Sequence, residues 1–134
     1  MEVKVVDITN MSVTERAKLG IGYAFQQPPR FKGLTVRRLL SLAAGSELPV
    51  DECCGYLTSV GLCSKDYLNR EMDNSLSGGE AKRIEIATLM ARKLGLAIFD
   101  EPEAGIDLWS FSMLVESFKA MSKGSHNSVI IISH

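Results

Sequence analysis

Two short apolar runs constrain this chain more than any other feature: residues 96–99, Leu-Ala-Ile-Phe, and residues 129–132, Val-Ile-Ile-Ile. Each is too short for an ordinary helix and has no polar alternation, which marks a strand buried on both faces. Between them, Leu108, Phe111, Leu114, Val115, Phe118 and Met121 recur at helical spacing, with Asp107 placed to cap the helix and Gly124 to end it. Strand, helix and strand in succession require a right-handed crossover, and so parallel strands. The expected fold class is therefore α/β with a parallel sheet.

The upstream half supplies more elements. Residues 3–6 suggest a short strand. Ser12-Val13-Thr14-Glu15 reads as a capping box opening a helix over 13–19, with Gly20 as its stop. Residues 21–25 read as a buried strand, ended by Gln26-Gln27-Pro28-Pro29, where two prolines forbid both helix and ladder. Helices follow over 35–44, with Val36, Leu39, Leu40 and Ala43 as its stripe, and over 50–60, with Gly61 after it. Residues 64–70 read as a short polar helical turn. A second capping box, Ser77-Gly78-Gly79-Glu80, opens a long helix with Ile84, Ala87, Met90, Ala91 and Leu94 on one face, stopped by Gly95.

A chain of 134 residues makes one domain. With 15 basic and 16 acidic residues its net charge is -1, so nothing draws it to nucleic acid or an anionic membrane. No apolar run is long enough to span a bilayer, and no charged leader precedes an apolar stretch, so the expected location is cytoplasmic. Cys53, Cys54 and Cys63 have no metal-binding spacing and read as reduced thiols; His126 reads as a solvated loop residue.

Chemistry gathers where the strands end. In a parallel sheet ligands sit beyond the carboxyl ends of the strands, which places Gln26, Asp100, Glu101 and His134 together. The adjacent acids Asp100 and Glu101 suit a magnesium ligand and a general base. They equally suit an acidic first turn of a helix. Gly78 and Gly79 lie inside the first turn of a helix, where each costs up to about 1 kcal/mol relative to Ala. Close approach of a ligand phosphate to bare N–H groups explains them; a plain loop-to-helix junction is the alternative.

Leu76-Ser77-Gly78-Gly79-Glu80, then a long helix, an apolar strand, Asp100-Glu101-Pro102, Gly105-Ile106-Asp107, and a strand ending in Ser133-His134 together resemble the ABC-type ATPase family. The resemblance covers nearly the whole chain and includes Gln26 as the glutamine of a Q-loop. It implies a P-loop-NTPase-like parallel sheet, present in part, with an inserted helical subdomain carrying the signature motif. The implied divisions are 1–25 for N-terminal core strands, 26–76 for the helical subdomain and 77–134 for the remaining core. It also implies ATP and Mg²⁺. Ser77, Gly78, Gly79 and Glu80 match the signature that meets ATP held by an opposite subunit. Asp100 matches the Walker B aspartate, Glu101 the catalytic glutamate, Asp107 the D-loop aspartate and His134 the switch histidine. Gln26 is implied to sense both Mg²⁺ and the attacking water.

One required part is absent: no G-x-x-x-x-G-K-[ST] segment occurs in these 134 residues. The expectation is a piece of a longer ATPase, or the product of a truncated reading frame. The resemblance implies that the surviving strands lie in the order 129–133, 96–99, 21–25, with 129–132 an open apolar edge prone to self-association. Tight ATP binding by these residues alone is not expected.

Two partner classes follow from the resemblance. Ala24-Phe25-Gln26-Gln27-Pro28-Pro29, Asp66-Tyr67-Leu68-Asn69-Arg70 and Glu80-Ala81-Lys82-Arg83-Ile84-Glu85 are similar to the SufC-type ATPase of iron–sulfur cluster assembly, whose partners are soluble SufB/SufD-like scaffold proteins. Leu76, Glu103 and Ala104 depart from that pattern. The alternative is the nucleotide-binding subunit of a membrane transporter, paired with a permease. Either implies a head-to-tail homodimer of the full-length protein. A third reading is a non-catalytic piece that offers its signature in trans.

Overall fold

The computed structural model describes residues 6–25, 30–62, 65–92, 94–101 and 128–132, together with helical positions 112, 115, 116, 118 and 119. The strand expected over 3–6 and the start of the helix expected at Asp107 lie outside these residues. So do Gln26, Cys63, His126 and His134.

The chain opens with α1 (Val13–Lys18), where Ser12 Oγ accepts from the Glu15 amide at 3.1 Å. Gly20 follows in the left-handed region at φ 94° and turns the chain into β1 (Ile21–Ala24). Next come β2 (Phe31–Thr35) and α2 (Val36–Ala44), capped by Thr35 and closed by Gly45 at φ 80°. Then α3 (Val50–Ser59), a 3₁₀ turn (Lys65–Asn69) and β3 (Glu71–Met72) lead to the long α4 (Gly78–Arg92). β4 (Leu96–Asp100) and β5 (Ser128–Ile132) complete the sheet.

The three-stranded sheet is parallel, in the order β1-β4-β5, the order that the family resemblance implies. Its register pairs Ala24 with Phe99 and Asp100 with Ile132, so the strands end side by side. The helix α4 packs against β1 on one side and against α2 and α3 on the other. This sandwiching explains a departure from the expected single apolar stripe. Ile86 and Leu89 are buried along with Ile84, Ala87 and Ala91, and so are the charged Lys82 and Glu85. A β-carbon on Gly22 would stand 2.0 Å from Leu94 Cδ1 and 2.9 Å from Leu89 Cδ2, so β1 meets the end of α4 without a side chain between them.

The strands are not buried on both faces. Ala24, Ala97 and Phe99 are buried, and Phe118 packs on Phe99 with ring centroids 4.6 Å apart. The opposite face is partly open: Ile21, Leu96 and Ile98 are half-buried and Tyr23 is exposed. A cleft of about 890 Å³ lies there, lined by Ile8, Val13, Ile21, Tyr23, Ile98 and Asp100 among others. In β5, Ile130, Ile131 and Ile132 are 47%, 46% and 41% exposed, which corrects the doubly buried expectation for that strand. Among the described residues nothing pairs with its outer edge, so its apolar composition reflects a surface that these residues leave uncovered. The ribbon of β2 and β3 was not expected. It pairs Phe31 with Met72 and Thr35 with Glu71 across a register shift, and its second strand is too short to show alternation.

Candidate functional site

The site has two parts, joined by α4. The first is the turn that opens this helix. Glu80 N–H donates to Ser77 Oγ at 3.1 Å, and Ser77 N–H donates back to Glu80 Oε1 at 2.9 Å, a complete capping box. Glu80 Oε2 accepts from the Tyr67 hydroxyl and, at 3.4 Å, from Arg70. These bonds hold its carboxyl below the ordinary range, Tyr67 contributing most. The Arg70 guanidinium lies over the Tyr67 ring at 5.4 Å and also donates to Ser75 O. Arg30 donates to Asp73 O at 2.8 Å and Leu76 O at 3.0 Å. The turn is therefore fixed from outside by two arginines and a tyrosine, while Leu76 anchors it in the core.

Ser77 and Gly78 nevertheless face solvent, and a β-carbon on Gly78 would meet nothing within 4 Å. Among the described residues no packing explains a glycine there. A helix start leaves its first N–H groups without intrahelical partners, and these attract anions.

The second part is the carboxyl end of β4. Asp100 Oδ2 accepts from the Tyr23 hydroxyl at 2.8 Å, which pushes the phenol's pKa up. Its carbonyl oxygen accepts from Lys82 Nζ at 3.2 Å. Glu101 follows with φ 48°, the one positive φ outside glycine among the described residues, while its amide donates to Ile132 O at 2.7 Å. A left-handed glutamate costs roughly 1–2 kcal/mol, and such strain gathers at functional turns.

Sequence reasoning passed over Lys82 and Glu85, reading them as family likeness rather than as parts of a site. Glu85 is 7% exposed and its Oε2 accepts from the Phe25 amide at 3.2 Å. Burial pushes its carboxyl up to about 7, against the opposing pull of that amide and of Lys82. Lys82 also reaches Phe25 O, at the 3.5 Å limit of a hydrogen bond. The available signal was a charged pair three residues apart inside a helix whose neighbours Ala81, Ile84 and Ile86 are all apolar.

The structure thus brings Asp100 and Glu101 to one strand end, beside β5, and places Ser77, Gly78, Gly79 and Glu80 at the opening of α4. Gln26, Asp107 and His134 lie outside the described residues. Mg²⁺ with a nucleotide needs only one or two carboxylates beside phosphate oxygens and water. Asp100 fits that demand: Tyr23 orients Oδ2, and Oδ1 keeps acceptor capacity. Among the described residues no three His, Cys, Asp or Glu side chains group as a cage for a metal. Cys53 is buried in the core, where burial raises its thiol pKa, and Cys54 is half-buried.

Comparison with known proteins shows the family and the fold. The profile of a family described as "ABC transporter" matches residues 2–104. The uncharacterized ABC transporter ATP-binding protein MJ0035 of Methanocaldococcus jannaschii is 38% identical, over 98% of this chain and 54% of its own length. The lipopolysaccharide export system ATP-binding protein LptB of Acidithiobacillus ferridurans is 33% identical, over 96% of this chain and 54% of its own. The dimeric ATP-binding cassette MJ0796 in a post-hydrolysis state with ADP and Pi superposes with a TM-score of 0.76 at 20% identity, covering 93% of this chain and 58% of that one. The chain thus spans about half the length of these relatives.

Proposed function

The chain belongs to the ABC transporter family, and from that premise we propose that the whole protein is an ATP-binding subunit that hydrolyses ATP within a head-to-tail dimer. The observation that carries this reading is the Ser77–Gly78 turn: braced by Arg30, Tyr67 and Arg70, open to solvent, and glycine-bearing where nothing among the described residues needs a glycine. A rigid, bare helix start suits the phosphate of a nucleotide presented by a second copy.

On this reading Glu101 takes a proton from water as that water attacks the γ-phosphorus. The bond to the bridging oxygen breaks, and ADP and phosphate leave. Asp100 holds Mg²⁺, which neutralises phosphate charge when bound. The resemblance assigns Gln26 to sensing Mg²⁺ and the attacking water, Asp107 to the D-loop and His134 to the γ-phosphate switch. Glu80 acts through its cap, since both of its oxygens already hold the turn. Residues 26–76 form the helical subdomain and the remainder the core.

For the partner, the finer reading is the SufC type, with an iron–sulfur scaffold. It rests on the Glu80-Ala81-Lys82-Arg83-Ile84-Glu85 segment and the Asp66-Tyr67-Leu68-Asn69-Arg70 segment. The names of the relatives, a lipopolysaccharide export protein among them, favour a membrane permease equally. ATPase assays of the full-length protein test the shared core of both readings. Wild type should hydrolyse ATP, while Ser77→Arg and Glu101→Gln should each lose at least about 100-fold in kcat. Unchanged turnover in either variant removes that residue from its role. Affinity capture of the full-length protein then decides the partner: a soluble scaffold supports the SufC type, and a permease overturns it.

A further inference from the structure

Glu85 is a buried carboxylate that the proposed reaction does not use. Among the described residues its Oε1 has no hydrogen-bond partner, and its Oε2 accepts from the Phe25 amide. A leucine or methionine would fill the same space without the cost of burying a charge, so packing does not account for it.

What Glu85 holds is informative. The β1–β4 ladder stops at the Ala24–Phe99 pair. Phe25 is the next residue, and its N–H goes to Glu85 instead of to a strand. Its carbonyl oxygen is met by Lys82 Nζ, and the same ammonium donates to Asp100 O. Lys82 and Glu85 are three residues apart on α4 and so share one side of it. Further along, the helix is pressed onto β1 through Leu89, with Leu94 just beyond its end, at Gly22. The helix that begins at Ser77–Glu80 therefore holds the tips of β1 and β4 through side chains, one turn after the turn itself.

We infer that Glu85 is a positioning residue: by taking the amide of Phe25 it sets where the chain leaves β1 and, together with Lys82, ties that exit and the Asp100 main chain to the helix that carries the Ser77 turn. A shift of that turn then moves the Phe25 peptide. The inference rests on the nucleotide-site reading above for its consequence, but not for its geometry.

Two readouts on the full-length protein test it. Glu85→Gln keeps a carbonyl acceptor for Phe25, and Glu85→Leu removes it; Glu85→Met replaces the leucine variant if that one does not fold. Hydrogen exchange at Phe25 should quicken about 5–10-fold in Glu85→Leu, the equivalent of one lost hydrogen bond, and stay near wild type in Glu85→Gln. In ATPase assays kcat should fall by about the same factor in Glu85→Leu, with KM for ATP within about two-fold, and the glutamine variant should rescue it. Unchanged exchange at Phe25 in Glu85→Leu overturns the inference, as does a glutamine variant as impaired as the leucine one. A wild type without ATPase activity would defeat the functional reading alone, because exchange at Phe25 still decides the positioning.

Discussion

Glu85→Gln makes a stability prediction whose sign and size come from the structure. The Glu85 carboxyl, 7% exposed, is pushed up to about 7, whereas an ordinary glutamate ionises near 4.5. The raised value means that the folded state holds this proton more tightly than the unfolded one. Below about pH 4.5 both states are protonated and nothing is lost. Between there and about pH 7 the unfolded chain ionises first, so stability falls as pH rises; above pH 7 the loss is complete. The difference corresponds to about 3 kcal/mol, which solvent screening reduces to on the order of 2 kcal/mol. Glutamine cannot ionise but still accepts from Phe25. The variant should therefore gain on wild type by on the order of 2 kcal/mol between pH 5 and pH 8. At roughly 3–5 °C per kcal/mol for a domain of this size, that is a relative rise of about 6–10 °C in Tm. Thermal melts followed by circular dichroism at pH 5, 6, 7 and 8 measure it. Taking the difference between variants cancels groups whose pKa moves the other way, such as Asp73 and Glu80. Parallel Tm-against-pH curves for the two proteins would refute the reasoning, since they would mean that Glu85 titrates as it does in water.

Other consequences can be checked directly. Gly22→Ala forces Leu94 and Leu89 aside and should destabilise by about 1–3 kcal/mol in urea titration. Tyr67→Phe removes the hydroxyl bonded to Glu80 and should cost about 1 kcal/mol by the same measurement, with the Ser77 amide exchanging faster. Ile131→Lys charges the open edge of β5 and should reduce self-association of the 134-residue chain, read by light scattering; undiminished association places the contact elsewhere.

Much of this arrangement is legible in the residues. The apolar run at 96–99, the helical spacing upstream of it and the Gly20 stop are local signals, and they report strands and helices correctly. The Ser77–Glu80 box is equally local, because both of its partners lie within one turn. The strand order came from the family likeness, and the sheet agrees with it. Two features depended on partners distant in sequence. The exposure of Ile130, Ile131 and Ile132 is not legible in the composition of the strand, which reads as doubly buried; the open edge came from the family likeness, and among the described residues nothing pairs there. The burial of Lys82 and Glu85 follows from α4 having protein on two sides, and their partners, Phe25 and Asp100, are far along the chain. A charged pair on a helix looks the same whether water or a strand end faces it.

In the proposed mechanism the exposed Ser77 turn of one copy and the adjacent acids Asp100 and Glu101 of another enclose a nucleotide together. Light scattering of the full-length protein carrying Glu101→Gln, with and without Mg-ATP, tests it most directly, beside the same protein carrying Ser77→Arg as well. ATP should double the mass of the single variant, while the double variant should still bind ATP but stay a monomer. A mass that ignores ATP in the single variant, or a double variant that dimerises just as well, would contradict it.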